Sequence, residues 1–272
     1  MSLPVLQITP RSNEDLVRLF HRTELHWTRA LAEESALSCG TAFTNPQLPN
    51  LFDGNRILDA ALPEGMSPEE SVREADAHFH DRGTRCWRWI LNPAAPTTTT
   101  TPLADYLRAA GAKRVAADIL HLAGRPAPIE EVPGLTIIPA RAGFRHARAL
   151  AEESAKKWNE PQVADAHLLH LDDPQWDSLL ALRDGHPVGG VGVLSVGDVG
   201  RIDQVFVCEP ARRQGIGRTL MSRALEICAR SLFKHVLLSV DPENAAAMAL
   251  YASIGFRKVG EIAAYQAAQI IS

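Results

Sequence analysis

The feature that most constrains this chain is the run from Val205 to Leu220, VFVCEPARRQGIGRTL. A β-type apolar segment ends at Val207, a turn with two glycines follows, and a helical pattern then begins. Glycines let a backbone approach a ligand closely, and successive N–H groups at the start of a helix favour an anion. Arg212, Arg213 and Arg218 add positive charge. The run therefore predicts an anion site, although the glycines alone fit a plain strand-to-helix turn with solvated arginines equally well.

Two common nucleotide-binding motifs do not fit this run. No Gly-Lys-Ser/Thr sequence follows the glycines, so the turn is not a Walker loop. Leu220 stands where the dinucleotide-binding fingerprint has its third glycine.

The C-terminal half, residues 135–272, has a clear pattern of strands and helices. Two apolar runs joined at Asp184-Gly185 carry a hairpin signal, and strands then alternate with helices. The predicted strands are Leu135–Pro139, Trp176–Arg183, Val188–Ser195, Gly200–Cys208, His235–Val240 and Arg257–Ala264, and the predicted helices are Arg145–Lys156, Gly215–Ser231 and Asn244–Ile254. This order indicates an α/β fold with a mixed central β-sheet flanked by helices.

The N-terminal half, residues 1–123, has a thinner pattern and is separated by a Pro- and Gly-rich linker at residues 124–134. Its predicted strands are Val5–Ile8, Arg56–Ala60, Arg85–Leu91 and Arg114–Leu122, its helices Ser67–Asp81 and Leu103–Ala110, and its exposed loop Asn92–Pro102. This order mirrors the C-terminal half, and the octapeptide RALAEESA occurs in both, at Arg29–Ala36 and Arg148–Ala155. We interpret the halves as an internal duplication, although an Ala/Glu helix face can recur by chance and no counterpart of the Asp184-Gly185 hairpin is evident.

Two motifs in the C-terminal half resemble those of the GNAT N-acetyltransferase superfamily. The spacing of Arg212–Gly217 is similar to its R/Q-x-x-G-x-G/A motif, and Asn244–Phe256 resembles its N-x-x-A-x-x-L-Y-x-x-x-G-F helix. The resemblance covers roughly Gly134–Gln266. The chain departs from it in one place, because Glu209 stands where the family usually has a proline, and Pro210 follows.

The resemblance implies the acyl-CoA N-acyltransferase fold and acetyl-CoA as cosubstrate. Backbone N–H groups of the turn would bind the pyrophosphate, the end of the preceding strand would pair with pantetheine as an added strand would, and Asn244 would hydrogen-bond the pantetheine arm. The implied cofactor-binding residues are Val205, Phe206, Val207, Arg212, Arg213, Gln214, Gly215, Ile216, Gly217, Arg218, Asn244 and Tyr251.

Attack of an amine on a thioester needs a deprotonated amine, a polarised carbonyl and a protonated leaving group. The resemblance implies that Tyr251 protonates the leaving thiolate; on its own it would be a half-buried aromatic that anchors its helix. Asp203 shares a strand face with Val205 and Val207 and is expected to take the amine proton, directly or through water. It could instead satisfy a loop or bind the substrate cation. His186 and Glu209 are weaker candidates, and the family often works without a dedicated base.

Three residues at three-residue steps could share a helix face and hold a metal: His167, His170 and Asp173. They match no zinc motif, and Pro174 keeps any helix there short, so we expect solvated side chains and no metal. Cys208 is expected to be a core thiol. Trp158 and Trp176 are expected in the core, with an acceptor pocket as the alternative.

In the N-terminal half, Ala61–Met66 stands in the place of the pyrophosphate turn, with one glycine and no arginine. This half is therefore predicted to be a truncated, degenerate GNAT-like domain that binds no acyl-CoA. It would cover one wall of the acceptor cleft or complete the fold by packing. The C-terminal half is then the catalytic GNAT domain.

Composition narrows the partners. The net charge is −4 and neither half is basic, which argues against broad nucleic-acid binding. No apolar stretch approaches the ~18 residues of a membrane span, and the four cysteines form no CxxC pair, so a cytoplasmic protein is expected. We predict a monomer or homodimer that acetylates a small-molecule or peptide amine. The alternative is a non-catalytic acyl-CoA sensor.

Overall fold

The computed structural model describes residues 11–267. Its helices are α1 (Asn13–Arg29), α2 (Pro68–His80), α3 (Thr97–Ala109), α4 (Phe144–Ala155), α5 (Gln162–Leu169), α6 (Ile216–Arg230) and α7 (Ala245–Ile254). Its strands are β1 (Glu33–Leu37), β2 (Gly40–Thr44), β3 (Arg56–Ala60), β4 (Arg88–Leu91), β5 (Lys113–Leu122), β6 (Thr136–Pro139), β7 (Trp176–Arg183), β8 (His186–Val196), β9 (Val199–Val207), β10 (His235–Val240) and β11 (Phe256–Gln266). The strand predicted at Val5–Ile8 lies outside the described residues.

The strands form one sheet in the order β1-β2-β3-β4-β11-β5-β10-β9-β8-β7-β6. The pairs β3–β4 and β9–β10 are parallel, and the other neighbours are antiparallel. The predicted mixed α/β fold with flanking helices is therefore confirmed.

The two halves exchange their last strands at the centre of the sheet. β5, from the N-terminal half, pairs with β10, while β11, from the C-terminal half, pairs with β4. β5 and β11 also pair with each other along most of their length. Each half thus supplies a strand to the other's side of the sheet. The division into two domains stays a prediction.

The order of elements is the same in both halves. A hairpin, a third strand, a helix, a parallel strand, a helix and a long strand follow one another as β1-β2-β3-α2-β4-α3-β5 and as β7-β8-β9-α6-β10-α7-β11. The hairpin that was not evident in the N-terminal sequence is therefore present, as β1 and β2.

The loop predicted at Asn92–Pro102 is wrong in its second part, because the five threonines form the start of α3. Thr100 is buried with Leu103, Ala104 and Leu107, so these side chains make one apolar helix face despite the low helix propensity of threonine. The hydroxyl of Thr99 donates to the carbonyl of Pro96 at 2.8 Å and supports the first turn.

Helix α1 has no counterpart among the predicted elements. It begins with a capping box in which Ser12 and Asp15 satisfy each other's backbone N–H groups. Leu16, Leu19 and Phe20 then bury its apolar face against the sheet centre. This packing carries Glu24 and Trp27, further along the helix, to the cavity described below.

Within residues 11–267, the structure has no helix that combines the length and the apolar character needed to cross a bilayer.

Candidate active site

The start of α6 is an open cluster of backbone donors. Arg213 and Gly215 both have left-handed backbones, with φ of 60° and 80°. Gly215 is the N-cap residue and makes no side-chain cap, so the N–H groups of the first helical turn lack an intrahelical partner. Successive N–H groups around left-handed residues form a concave nest for an anion, and the helix dipole adds positive potential there.

Tight packing brings this turn against the end of β9 and against α7. A Cβ atom on Gly217 would lie 3.5 Å from Leu250 and 3.8 Å from Val207. Arg218 donates to the hydroxyl of Ser253 at 2.8 Å, which ties α6 to α7. The turn, the strand end and α7, which the sequence motifs predicted to act together, are therefore neighbours.

Strand β9 separates from β10 at a β-bulge. Gln204 has φ of 51°, and the register with β8 shifts between Gly190 and Gly192. Pairing between β9 and β10 ends at Ile202 and Leu238. Beyond this point the backbone from Asp203 to Val207 borders an opening instead of a neighbouring strand. Side chains engage two backbone groups of this stretch, because Nε of Arg212 donates to the carbonyl of Val207 at 3.1 Å and the N–H of Gln204 donates to Oδ1 of Asp203 at 2.7 Å.

Helix α7 follows Asn244 and packs Tyr251 into the apolar cluster that includes Val205 and Val207 of β9. Asn244 is the N-cap, and its Oδ1 accepts from the N–H of Ala247 at 3.1 Å. Tyr251 is buried and packs edge-on against Phe256, with the ring centroids 6.0 Å apart. Burial raises the pKa of Tyr251, and the negative charge of Asp203 raises it further. A phenol is protonated at neutral pH even without this shift, so Tyr251 carries a proton that it can donate.

A cavity of about 360 Å³ lies beyond the open edge of β9. Both halves line it: Glu24 and Trp27 from α1, Phe52 and Asp53 from the segment before β3, His167 and His170 from the α5 region, and Asp203 to Phe206 from β9. Ser239 of β10 also lines it, so the cavity reaches the gap between β9 and β10.

A chain of ion pairs runs along the cavity wall and joins the halves. Its members alternate in sign, and the nearest N–O distances between neighbours are 2.5, 2.7, 2.9, 3.2 and 2.9 Å in the order Asp203, Arg201, Glu24, Arg56, Asp53 and Arg88. Burial alone would raise the pKa of Glu24, but Arg201 and Arg56 outweigh it and hold that pKa below its ordinary value. Glu24 is therefore an ionised, buried link between β3 and β9.

Both oxygens of Asp203 already accept hydrogen bonds. Oδ2 accepts from Nε and Nη2 of Arg201, at 2.9 and 2.5 Å, and Oδ1 accepts from the N–H of Gln204 at 2.7 Å. The carboxylate is thus held at the cavity wall with a defined orientation.

The histidines of the α5 region are not solvated, which corrects the sequence expectation. His170 is fully buried and stacks on Trp27 with 3.5 Å between ring centroids, and burial lowers its pKa to about 3. His167 is half-buried, and burial lowers its pKa as well. The α1 helix covers this region, and its capping box and apolar spacing were the signals that could have revealed it. Among residues 11–267, no three His, Cys, Asp or Glu side chains group as metal ligands.

The remaining predicted positions fall in different environments. Trp176 is fully buried and Cys208 is half-buried, and both belong to one apolar cluster with Phe206. Val205 and Val207 pack into the cluster on the other face, as strand alternation predicts. The side chain of Trp158 lies outside the described part of the chain.

Known proteins resemble the chain in sequence and in fold. Residues 144–256 match the family model of the acetyltransferase (GNAT) family. A protein of Bacillus subtilis (strain 168), named as a ribosomal protein bS18 alanine N-acetyltransferase, is 30% identical over 111 residues, which are 40% of this chain and 73% of that protein. Human N-acetyltransferase 8 is 35% identical over 80 residues, 27% of this chain and 35% of that protein.

A GCN5-related N-acetyltransferase from Kribbella flavida has the same fold across both halves. It superposes with a TM-score of 0.65 at 16% identity, over 93% of this chain and 96% of that one. A functionally unknown protein from Staphylococcus epidermidis ATCC 12228 gives a TM-score of 0.61 at 13% identity, over 86% and 92%. These two structures show the fold, and the match to the family model together with the Bacillus subtilis relative shows that the chain belongs to the GNAT family of acetyltransferases.

Proposed function

We propose that this acetyltransferase transfers an acetyl group from acetyl-CoA to a primary amine by direct attack, within the C-terminal half. The observation that carries the proposal is the grouping of three features in the C-terminal half: the uncapped start of α6, the separated edge of β9 and the phenol of Tyr251. Anion donors, an unpaired strand edge and a protonated acid match the pyrophosphate, pantetheine and thioester of acyl-CoA.

The backbone fits the cosubstrate at two places. The N–H groups from Gln214 to Arg218, with Gly215, Ile216 and Gly217 between them, would hold the pyrophosphate, and Arg212 and Arg213 add charge. The backbone at Val205, Phe206 and Val207 would pair with pantetheine as an added strand does. Because Oδ1 of Asn244 caps α7, its NH₂ group is the part that would donate to the pantetheine arm.

Tyr251 would protonate the thiolate as it leaves. An ordinary phenol, with a pKa near ~10, carries its proton at neutral pH and can donate it to a thiolate as charge develops there. A sensor that only binds acyl-CoA has no use for such an acid, which favours an enzyme over the non-catalytic alternative.

Asp203 would accept the amine proton, directly or through water. Its carboxylate lines the cavity, although Arg201 and the N–H of Gln204 already use both oxygens. His167 is the second candidate, because it lines the same cavity and its lowered pKa leaves a neutral imidazole that can accept a proton. Asp203→Asn and His167→Asn distinguish them, since the substitution that removes the acceptor should lower kcat without weakening acetyl-CoA binding.

Two measurements test the proposal. In a thermal-shift experiment, acetyl-CoA and CoA should raise Tm, whereas ATP should not; ligand at 100-fold over Kd adds ~2.7 kcal/mol. A thiol-release assay over a panel of amines should then show turnover. Absence of a shift with either CoA species would contradict the cosubstrate assignment, and binding without turnover on any amine would favour the sensor.

A further inference from the structure

The cavity beyond the β9 edge limits the size of the acceptor. Its volume is about 360 Å³, near the lower end of the ~300–1,000 Å³ typical of small-molecule sites. Part of it, beside Val205 and Ser239, is the gap into which the proposed thioester would reach. What is left accommodates a small molecule or a single extended side chain.

The charges on the cavity wall are already paired with one another. Glu24 is shared between Arg201 and Arg56, and Asp53 is shared between Arg56 and Arg88. Lys157 also lines the cavity, so four basic residues stand against three carboxylates. A polycation needs several carboxylates that are free to bind its ammonium groups, and this wall offers no such surplus of negative charge.

Most of the remaining lining is apolar, and much of it comes from the N-terminal half and the exchanged strands. Trp27, Leu51 and Phe52 stand on one side. The aromatic wall is held by neighbours, since Trp27 stacks on His170 and Phe52 packs edge-on against Trp87, with 5.5 Å between the ring centroids. Aliphatic side chains, among them Leu31, Ile90 and Val115, line much of the remainder. A rigid aromatic and aliphatic wall selects an acceptor with an apolar body.

We propose that the acceptor is a small monoamine with an apolar or aromatic body, bound with that body against Trp27 and Phe52 and its amino group at the β9 edge beside Asp203. The assignment rests on the proposed acetyl transfer. It gives the N-terminal half a role in acceptor selection, because α1 and the segment before β3 supply the body-binding wall.

The test measures thiol release by the full chain with acetyl-CoA and three acceptors: phenethylamine, spermidine and a tripeptide with an N-terminal alanine. We expect kcat/KM for phenethylamine to exceed that for the other two by about tenfold or more, the scale on which apolar pockets discriminate. Equal or better turnover of spermidine or of the tripeptide overturns the assignment.

Two variants test whether the preference for phenethylamine arises from contacts in the cavity. Phe52→Leu should raise KM for phenethylamine about fivefold to tenfold and leave KM for acetyl-CoA unchanged, because it shortens the aromatic wall alone. Phe144→Leu is the matched control, since Phe144 is exposed on α4 and does not line the cavity. Equal KM values in the two variants would overturn the contact with the aromatic body.

Arg88→Gln tests the charge of the cavity wall. Because the Arg88 guanidinium also lies 5.6 Å from the centre of the Phe52 ring, KM for phenethylamine is measured in the same variant. The substitution removes one of the two cations that neutralise Asp53, so the preference for phenethylamine over spermidine should narrow by about threefold or more. An unchanged ratio overturns the charge argument. The thermal shift with acetyl-CoA distinguishes failure of this inference from failure of the proposed function. If acetyl-CoA raises Tm but phenethylamine is not the preferred acceptor, only the inference about the acceptor is contradicted. If acetyl-CoA does not raise Tm, the proposed function is contradicted.

Discussion

Helices α2 and α6 follow equivalent strands in the two halves, yet their first turns differ in one decisive way. In α2, Ser67 accepts from the N–H of Glu70, and the carboxylate of Glu70 accepts from the N–H of Ser67 at 2.9 Å. Pro68 removes a further donor. The chain thus places its own anion where α6, uncapped at Gly215, leaves N–H groups for a ligand.

The strands before these helices, β3 and β9, also differ in whether their backbone groups find a partner within the protein. Both β3 and β9 carry a bulge with a left-handed residue, Asp59 with φ of 56° and Gln204 with φ of 51°. After its bulge β3 pairs with β4 again at Ala60 and Leu91, and the N–H of Asn92 donates to the carbonyl of Ala60 at 3.0 Å. After its bulge β9 stays apart from β10. The N-terminal half closes the gap between its two parallel strands with its own backbone, and the C-terminal half leaves the equivalent gap open.

Both halves share one order of elements, so the proposed cosubstrate site depends on which backbone N–H and C=O groups lack a partner rather than on topology. Unpaired backbone donors at a strand edge and a helix start cost stability unless a ligand or water completes them. The N-terminal half therefore gains stability at the positions where the C-terminal half leaves backbone groups open for the proposed cosubstrate.

Glu24 joins equivalent arginines of the two halves, and its removal should give the largest effect. Arg56 and Arg201 each stand three residues before their bulge, and both bind Glu24. Glu24→Gln leaves two buried guanidiniums short of charge and should lower the free energy of unfolding by about 3 kcal/mol, as measured by urea denaturation. Glu14→Gln on the exposed face of the same helix is the control and should change stability little. Equal stability of the two variants would show that the halves are not coupled through this residue.

Tyr251→Phe tests whether the C-terminal half supplies the acid that protonates the leaving thiolate. Loss of the acid should reduce kcat by about 100-fold in the thiol-release assay, while the thermal shift with acetyl-CoA is retained. Tyr106 in α3 is the nearest tyrosine at the equivalent place of the N-terminal half, and Tyr106→Phe should leave kcat unchanged. The acid role fails if Tyr251→Phe abolishes binding but turnover per bound cosubstrate stays the same.

Gly215 and Gly65 offer a matched pair at the two helix starts, because their φ values are 80° and 78°. Alanine should cost each position about 1–2 kcal/mol of backbone strain. At Gly215 the new Cβ would also lie 2.6 Å from Val132, whereas nothing lies within 4 Å of it at Gly65. Gly215→Ala should therefore raise KM for acetyl-CoA about tenfold, equivalent to ~1.4 kcal/mol, and Gly65→Ala should not change it. A parallel change of KM in both variants would mean that strain alone, and not the anion site, is responsible.

The smallest expected effect comes from removing the N-cap side chain of α2. Ser67→Ala should lower the free energy of unfolding by about 1 kcal/mol and leave KM for acetyl-CoA as it is. Chemical denaturation and initial-rate kinetics measure the two quantities. A change in KM would reveal a cosubstrate contact in the N-terminal half and break the comparison.

The C-terminal half was largely predictable from sequence because its signals are local. The Asp184-Gly185 turn, the glycines of α6 and the Asn244 cap each act within a few residues, and the elements appear where these signals placed them. The N-terminal half was harder to predict, since Ser38 and Cys39 form its two-residue hairpin turn without a strong turn signal. A short similarity, RILDA at Arg56–Ala60 and RIDQV at Arg201–Val205, marks the equivalent bulged strands and was available in the sequence.

The cavity was out of reach of sequence reasoning. Glu24, Asp53, His167 and Arg201 lie far apart in the chain and meet only because α1 and the exchanged strands pack across the sheet centre. No local pattern encodes which charged side chains will be desolvated together, because burial depends on distant elements.

The octapeptide RALAEESA occurs twice in the chain and adopts two different conformations. At Arg148–Ala155 it lies within α4, where Leu150, Ala151 and Ala155 face the core. At Arg29–Ala36 it spans the end of α1, a turn and the start of β1, where Glu33 to Ala36 pair with β2. The sequence by itself determined the acetyltransferase motifs, whose glycines, cap and tyrosine act through local backbone geometry. Tertiary structure decided the conformation of this peptide and the shape of the acceptor cavity, because strand pairing and burial against distant elements outweigh the weak helix propensity of eight residues.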